Sequence, residues 1–348
     1  MIDEHGNDKR TERYFKVSTR LGYLIALFIG FCFGLSYVAW KLHPFFGFFV
    51  SILLATAAFL VLVLFGYCVD RKYKKITGSR KDYLIAVLPL YAILLSLMTI
   101  PLFFLNILFQ ATGIMIFVYL NVVVILLFFV SSTLIPRVLR FRSRGLGLEN
   151  LRLVDKLLSL AEKMDMNVEK IMVLPWKKLK VANALQVGPR KCSIYISDYL
   201  IENLTLEDVE AVVAHELAHA KKRHLLKSLL FTLPFVLIGM NLMLHYGMSY
   251  ANNPRNLEAA AGFFVGMAFV LAVNFAMMPL RRRFELEADA LAAEILDSPE
   301  TMISALQKIS ELNLIPKKYP PIIRWGLPHP SLEIRIRKLR QLKGKYNG

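Results

Sequence analysis

Six stretches of this chain contain no Asp, Glu, Lys or Arg: residues 21–40, 44–68, 83–109, 112–135, 228–250 and 259–280. Charged residues make up 20% of the 348 and hydrophobic residues 56%, against about 25% and roughly 45–50% in ordinary globular chains. Each charge-free run reaches the roughly 20 residues that a helix needs to cross a hydrocarbon core. None carries the polar stripe of an amphipathic soluble helix. Six transmembrane helices are therefore expected, four before residue 137 and two after it.

Cysteine is scarce as well. Cys32 and Cys68 fall in apolar runs and Cys192 outside them, which argues against a disulfide framework. The polar N-terminus lacks the short apolar region of a cleavable signal peptide, so the first helix is expected to be a retained anchor. Lys345-Tyr346-Asn347-Gly348 carries no lipidation motif. There is no internal repeat and no low-complexity tract.

Acidic residues are outnumbered, 26 against 43 basic ones, for a net charge of +17. The excess is not spread evenly. Lys9, Arg10, Arg13, Lys16 and Arg20 precede the first run, while the next connection holds only Lys41. Arg71, Lys72, Lys74, Lys75, Arg80 and Lys81 follow the second run, and positions 110–111 carry no charge. Arg137, Arg140, Arg142 and Arg144 follow the fourth, Arg255 alone lies between the fifth and sixth, and Arg281, Arg282 and Arg283 come after the sixth. This alternation follows the positive-inside rule and places both termini and segment 137–227 in the cytoplasm. The basic balance thus reports topology and attraction to anionic headgroups. No basic-aromatic repeat points to nucleic acid.

Between the fourth and fifth runs the pattern changes. Residues 151–164 place Leu151, Val154, Leu157, Leu158 and Ala161 at helical spacing. Strand-like runs follow at 170–174, 179–185 and 193–197, separated by Pro175 and Gly188-Pro189. Thr205 and Asp208 form a capping-box pair, opening a helix expected to continue straight toward the fifth run. A small α+β cytosolic domain is thus interrupted by a membrane hairpin and resumes at Arg281. Gly262 and Gly266 in the sixth run are expected to pack helix on helix.

His215-Glu216-Leu217-Ala218-His219 lies in that capped helix. Four residues apart, the two imidazoles lie about 40° apart around the axis and can reach one ion. Glu216 projects beside them, placed to take a proton from water that such an ion activates. For a third ligand, His224 is nine residues from His215, on the opposite face of a continuous helix, and is set aside as an interfacial residue. Arg282-Arg283-Phe284-Glu285-Leu286-Glu287-Ala288-Asp289 offers carboxylates instead. Glu285 and Asp289 share a helix face: Glu285 can ligate while Asp289 accepts the outer N–H of a ligating histidine. Arg282 is on the same side and can neutralise or orient them, whereas Glu287 points to solvent. The two ends of a membrane hairpin must stand side by side, which brings Glu285 to the histidines.

These motifs resemble those of the integral-membrane zinc metallopeptidases that include HtpX and the CAAX prenyl endopeptidases. The matching residues are His215-Glu216-Leu217-Ala218-His219, then Arg282, Phe284 and Glu285 with Ala288-Asp289, then His329-Pro330-Ser331 with Arg335-Ile336 and Leu339, and Asn183-Ala184 upstream. The likeness spans roughly residues 140–345. It implies one zinc per chain on His215, His219 and Glu285, with Glu216 as general base and then acid. It also implies His329 at the oxyanion and Asn183 beside an extended substrate on the strand at 179–185.

The expected protein is mainly α: a polytopic membrane protein of about six transmembrane helices with a small α+β, zincin-like cytosolic catalytic domain. Residues 1–136 form the N-terminal membrane region and 137–348 the metallopeptidase domain, interrupted at about 228–280. Its expected activity is zinc-dependent endopeptidase cleavage of protein or peptide substrates at the cytoplasmic face, as in membrane-protein quality control. Two alternatives stay open: CAAX-type processing of prenylated C-terminal peptides, and a non-catalytic zinc-binding scaffold or transporter. The charge-free runs speak against ion-coupled transport.

Overall fold

The structure, a computed structural model, describes residues 9–20, 44–88, 121–122, 126, 139–141, 143–146, 151–188, 191–253, 257–320, 324 and 326–346. The run at 21–40, the one at 112–135 apart from three positions, and most of 83–109 lie outside them. The chain divides into two compact units. One is Met1–Arg142 with Pro175–Val181 and Leu312–Ile315, and the other is Ser143–Leu174 with Ala182–Glu311 and Pro316–Gly348.

The first unit contains α1 (9–20), α2 (Pro44–Tyr73) and α3 (80–88). Proline suits the first turn of α2, where no amide partner is needed. Near the end of α2, Asp70 accepts hydrogen bonds from the hydroxyls of Tyr14 (2.7 Å) and Tyr83 (3.1 Å), which satisfies a largely buried carboxylate and ties α1 and α3 to α2. The returning segment docks on the loop after α2, where Thr77 and Gly78 amides both donate to the Lys178 carbonyl at 3.0 Å.

The second unit begins with β1 (Arg144–Gly145), α4 (Leu151–Lys163), β2 (Asn167–Leu174), β3 (Ala184–Val187) and β4 (Lys191–Ser197). The sheet order is β1-β2-β4-β3, with β2 and β4 parallel and the outer pairs antiparallel. The strand expected at 179–185 instead spans Ala184–Val187, because residues 177–179 form a 3-10 turn and Lys180 takes a left-handed conformation (φ 51°). The buried stripe of α4 is Leu153, Leu157, Leu160 and Ala161, while Leu151 and Leu158 face solvent. The apolar stripe is thus rotated from the one expected, since α4 buries its face against β2 and the helix over residues 206–221.

After a short α5 (Asp198–Asn203), α6 (Leu206–Lys221) starts at the capping box: Thr205 Oγ1 accepts from the Asp208 amide and Asp208 Oδ2 accepts from the Thr205 amide. Lys308 also bonds Asp208 Oδ2. α6 buries Val209, Val212, Val213 and Leu217. Contrary to the expectation of a continuous helix, it stops at Lys221. Arg223 adopts φ 53°, ψ 40°, and a new helix, α7, opens at His224.

α7 (His224–Asn252), α8 (Leu257–Ala276) and α9 (Met278–Ile295) follow, then α10 (Pro299–Leu312) and α11 (Leu332–Tyr346). Among the described residues, three helices are long and apolar enough to cross a membrane: Ile52–Tyr73, His224–Met243 and Phe264–Ile295. α7 and α8 pack along their length as a hairpin, and glycines set their separation. A Cβ at Gly266 would stand 2.9 Å from the Met243 amide nitrogen and 3.1 Å from the Gly239 carbonyl, and one at Gly262 would enter the Tyr246 ring. The hairpin carries its two ends together, so that α9 packs on α6.

Candidate metal centre

Two helix turns and one carboxylate make the centre. His215 and His219 stand one turn apart on α6, with their Nε2 atoms 3.2 Å from each other. From α9, Glu285 places Oε2 3.7 Å from His215 Nε2 and Oε1 3.4 Å from His219 Nε2. One atom from each of the three residues lies within 4.8 Å of the others. The remaining ring nitrogens are engaged elsewhere: His215 Nδ1 lies 2.9 Å from Asp289 Oδ1, and His219 Nδ1 lies 2.9 Å from His224 Nδ1. Both Nε2 lone pairs therefore face the same point as the carboxylate.

This donor set fits zinc. Two imidazoles and a carboxylate are borderline ligands, and three protein ligands rather than four mark an open, catalytic site. Outer partners on the far ring nitrogens fix tautomer and ring orientation. When bound, zinc would polarise a carbonyl and make water acidic enough to attack near neutral pH.

The electrostatics separate the groups. Desolvation pushes the Glu216 carboxyl up to about 7, against the pull of His215 and with help from Glu285. Burial pushes His219 down to about 4, and the neighbouring His215 adds to the effect, so this ring is neutral and free to ligate. Burial also acts against a charged His215, but its hydrogen bond to Asp289 prevails and raises its pKa.

The guanidinium over these carboxylates belongs to Arg335, not Arg282. Arg335 grips Asp289 with two prongs, Nε to Oδ2 at 2.7 Å and Nη2 to Oδ1 at 2.6 Å, and its Nη1 lies 3.9 Å from Glu285 Oε2. Arg282 instead donates to the carbonyls of Met278 and Arg324. Arg282 stands one turn before Glu285 and two before Asp289 on α9, but its side chain runs back toward the helix N-terminus, as helical side chains do. The signal for Arg335 was present in the sequence: it sits between Leu332 and Leu339, which are buried in α11, so it falls in an apolar stripe.

His329, on the loop before α11, places Nδ1 2.9 Å from Glu285 Oε2 and keeps a largely exposed side chain. Asn183 immediately precedes β3 and is exposed; its carbonyl accepts from the Ser197 amide at 2.9 Å. β3 is an edge strand of the described sheet and packs on α6. His224 is not on the far face of the motif helix, because the left-handed turn at Arg223 restarts the helix and returns the ring to His219. Glu287 is not merely solvated: Oε2 lies 3.4 Å from His224 Nε2, and Oε1 accepts from Arg283 Nε at 3.0 Å.

A mainly helical protein with membrane-length apolar helices and a His-His-Glu centre thus emerges. Residues 147–343 match peptidase family M48, and the chain belongs to that family. It is 31% identical to protease HtpX of Legionella pneumophila over 137 residues, 38% of this chain and 49% of the relative. It is 30% identical to a protease HtpX homolog of Methylibium petroleiphilum over 182 residues, 45% of this chain and 63% of the relative. The chain spans about half the length of the first of these relatives. Among solved structures, Ste24p of S. mikatae has the same fold, with a TM-score of 0.70 at 19% identity over 94% of this chain and 83% of that one.

Proposed function

We propose that the protein is a membrane-bound zinc metalloendopeptidase, holding one zinc per chain on His215, His219 and Glu285. The observation that carries this reading is the convergence of both Nε2 atoms and the Glu285 carboxylate on one point, with Glu216 beside them, in a chain of family M48.

The chain's own groups supply the proton chemistry. Glu216 takes the proton of the attacking water and passes it to the leaving amine; a carboxyl held near 7 is matched to both transfers. His329, beside Glu285 and reachable from solvent, donates to the oxyanion of the tetrahedral intermediate. Arg335 holds Asp289, and Asp289 holds His215. A substrate in extended conformation pairs with the open edge of β3 near Asn183. Such backbone pairing reads little side-chain detail, so the substrate class is broad: damaged or misfolded membrane proteins. The membrane region comprises residues 1–136 with four helices, and the peptidase domain 137–348 is interrupted by the hairpin at about 228–280. Six helices place both termini and the centre on the cytoplasmic side, by the placement of basic residues in the short connections.

The test uses the full chain in mild detergent, as wild type and as Glu216→Gln, with unfolded casein and a prenylated C-terminal peptide as separate substrates. Wild type is expected to cut casein, to stop when chelated and to recover with zinc; Glu216→Gln is expected to be inactive throughout. Cleavage of the prenylated peptide alone moves the substrate reading to CAAX-type processing. Casein cleavage that survives chelation or Glu216→Gln overturns the proposal, and so does failure of wild type to cut either substrate.

A further inference from the structure

His224 ligates nothing in this centre, yet it is only 3% exposed and is held on three sides. Its ring stacks on Phe284, with centroids 4.3 Å apart and planes 9° apart. Its Nδ1 lies 2.9 Å from His219 Nδ1, and its Nε2 lies 3.4 Å from Glu287 Oε2, long for a hydrogen bond. Phe284 and Glu287 flank Glu285 on α9. Three elements therefore meet at the ring: the start of α7, which bears it, the end of α6 through His219, and α9.

The backbone is bent to put the ring there. In an unbroken helix a residue five positions after His219 would lie about 140° around the axis, away from the metal site. Arg223 at φ 53°, ψ 40° ends α6 and turns the chain back. A left-handed conformation is strained at a non-glycine residue, and here it falls between the metal-binding turn and His224.

The hydrogen-bond roles follow from the pairing. Two N–H groups cannot face each other across 2.9 Å, and two lone pairs repel, so one Nδ1 donates and the other accepts. Glu287 only accepts as a carboxylate, and at 3.4 Å its charge, acting as an ion–dipole contact rather than a hydrogen bond, favours the proton on His224 Nε2. The neutral His224 then presents a lone pair at Nδ1, His219 Nδ1–H donates to it, and His219 Nε2 is left as a lone pair aimed at His215 and Glu285.

Building on the zinc reading above, we propose that His224 is a positioning residue for the ligand His219, with Glu287 setting the tautomer of both rings. The two ligand histidines are then backed differently: His215 by the carboxylate of Asp289 and His219 by a neutral imidazole. The kink at Arg223 is the device that supplies the second backing group, and it lies where the catalytic helix hands over to the membrane hairpin.

The test is cobalt binding to the full chain in detergent, read by chelator competition and by the visible ligand-field spectrum, with metal-free thermal midpoints as the check on folding. His224→Phe keeps the stack on Phe284 but removes both nitrogens. It is expected to bind cobalt roughly 10–100-fold more weakly, as loss of an outer partner does elsewhere, with an altered spectrum. His224→Asn, whose Oδ1 can accept from His219 Nδ1–H, is expected to restore most of the affinity and the wild-type spectrum. Glu287→Ala, at a partly exposed position, is expected to weaken binding in the same direction by less. The inference is overturned if His224→Phe binds as wild type does with an unchanged spectrum, or if His224→Asn is as weak as the Phe variant. It is overturned too if His224→Phe misfolds and Glu287→Ala leaves affinity and spectrum untouched. Wild type that binds no cobalt refutes the metal reading itself, whereas wild type that binds alongside variants that match it refutes only the role of His224.

Discussion

Replacing Arg335 by Met removes a guanidinium and leaves its volume roughly filled. Asp289 is 2% exposed and Glu285 8%, and both prongs of Arg335 end on Asp289 at 2.7 and 2.6 Å. The third nitrogen faces Glu285 at 3.9 Å. After the change, two buried carboxylates share one pocket, with His215, His219 and His329 as the remaining polar partners. Removing one partner of a buried ion pair costs about 3–5 kcal/mol, because the other charge stays buried. For a unit of about 200 residues that is a drop of roughly 6–20 °C in the thermal midpoint. Arg335→Lys is expected to lose less in stability while still losing the two-pronged grip, since an ammonium is a point charge. A double-mutant cycle with Asp289→Asn isolates the pair: in that background, Arg335→Met should cost much less than alone, because no carboxylate is stranded at position 289. Thermal melts of the metal-free protein read this. If Arg335→Met melts within about 2 °C of wild type, or if the two changes add without coupling, the assignment of Arg335 as the counter-charge of this centre is refuted.

Glu216 must be ionised to act as a base, and burial holds it up to about 7. Cleavage by the zinc-loaded protein is therefore expected to rise with pH along an acid limb at or below 7, since a bound cation pulls the midpoint down; a flat profile from pH 5 to 8 contradicts the role. Burial opposes ionisation of Asp208, but hydrogen bonds from Lys308, Thr205 and Ser304 prevail and hold its carboxyl below 3.8. The folded pKa lies below the unfolded one, so this stabilisation is present above pH 3.8 and is lost as pH falls through the folded value. Thr205→Ala should cost about 0.5–2 kcal/mol through the lost cap, seen as a lower midpoint in thermal melts. Gly266→Ala places a methyl 2.9 Å from the Met243 amide nitrogen. It should cost about 1–3 kcal/mol by forcing the hairpin apart, whereas Ala at exposed Ala261 replaced by Gly should leave packing unchanged.

Much of the centre was legible because helical periodicity fixes which side chains share a face. His215 and His219 needed only four-residue spacing, and Glu285 with Asp289 needed the same spacing plus a hairpin to bring α9 beside α6. The capping box was readable for a similar local reason, since Thr205 and Asp208 answer each other within one turn. What failed depended on backbone breaks that the side chains do not announce. Arg223 gives no glycine or proline signal, so periodicity alone carries the motif helix past it and puts His224 on the opposite face, whereas the chain turns at Arg223. The 3-10 turn ending at Lys180 likewise displaced a strand that β-branched and apolar residues had suggested. Arg282 and Arg335 show a third limit: several arginines competed for the same carboxylates, and only tertiary placement of α11 selects between them. α4 shows the same limit: it carries seven apolar residues, Leu151, Leu153, Val154, Leu157, Leu158, Leu160 and Ala161, and only the neighbours that cover it select which of them are buried.

The most direct measurement is the zinc content of the purified full chain, taken together for wild type, Glu216→Gln and Glu285→Ala. Wild type and Glu216→Gln should each hold about one zinc per chain, and Glu285→Ala should hold far less, because a three-ligand site cannot spare its carboxylate. Wild type without zinc, or Glu285→Ala with a full equivalent, would show that His215, His219 and Glu285 do not form the metal centre.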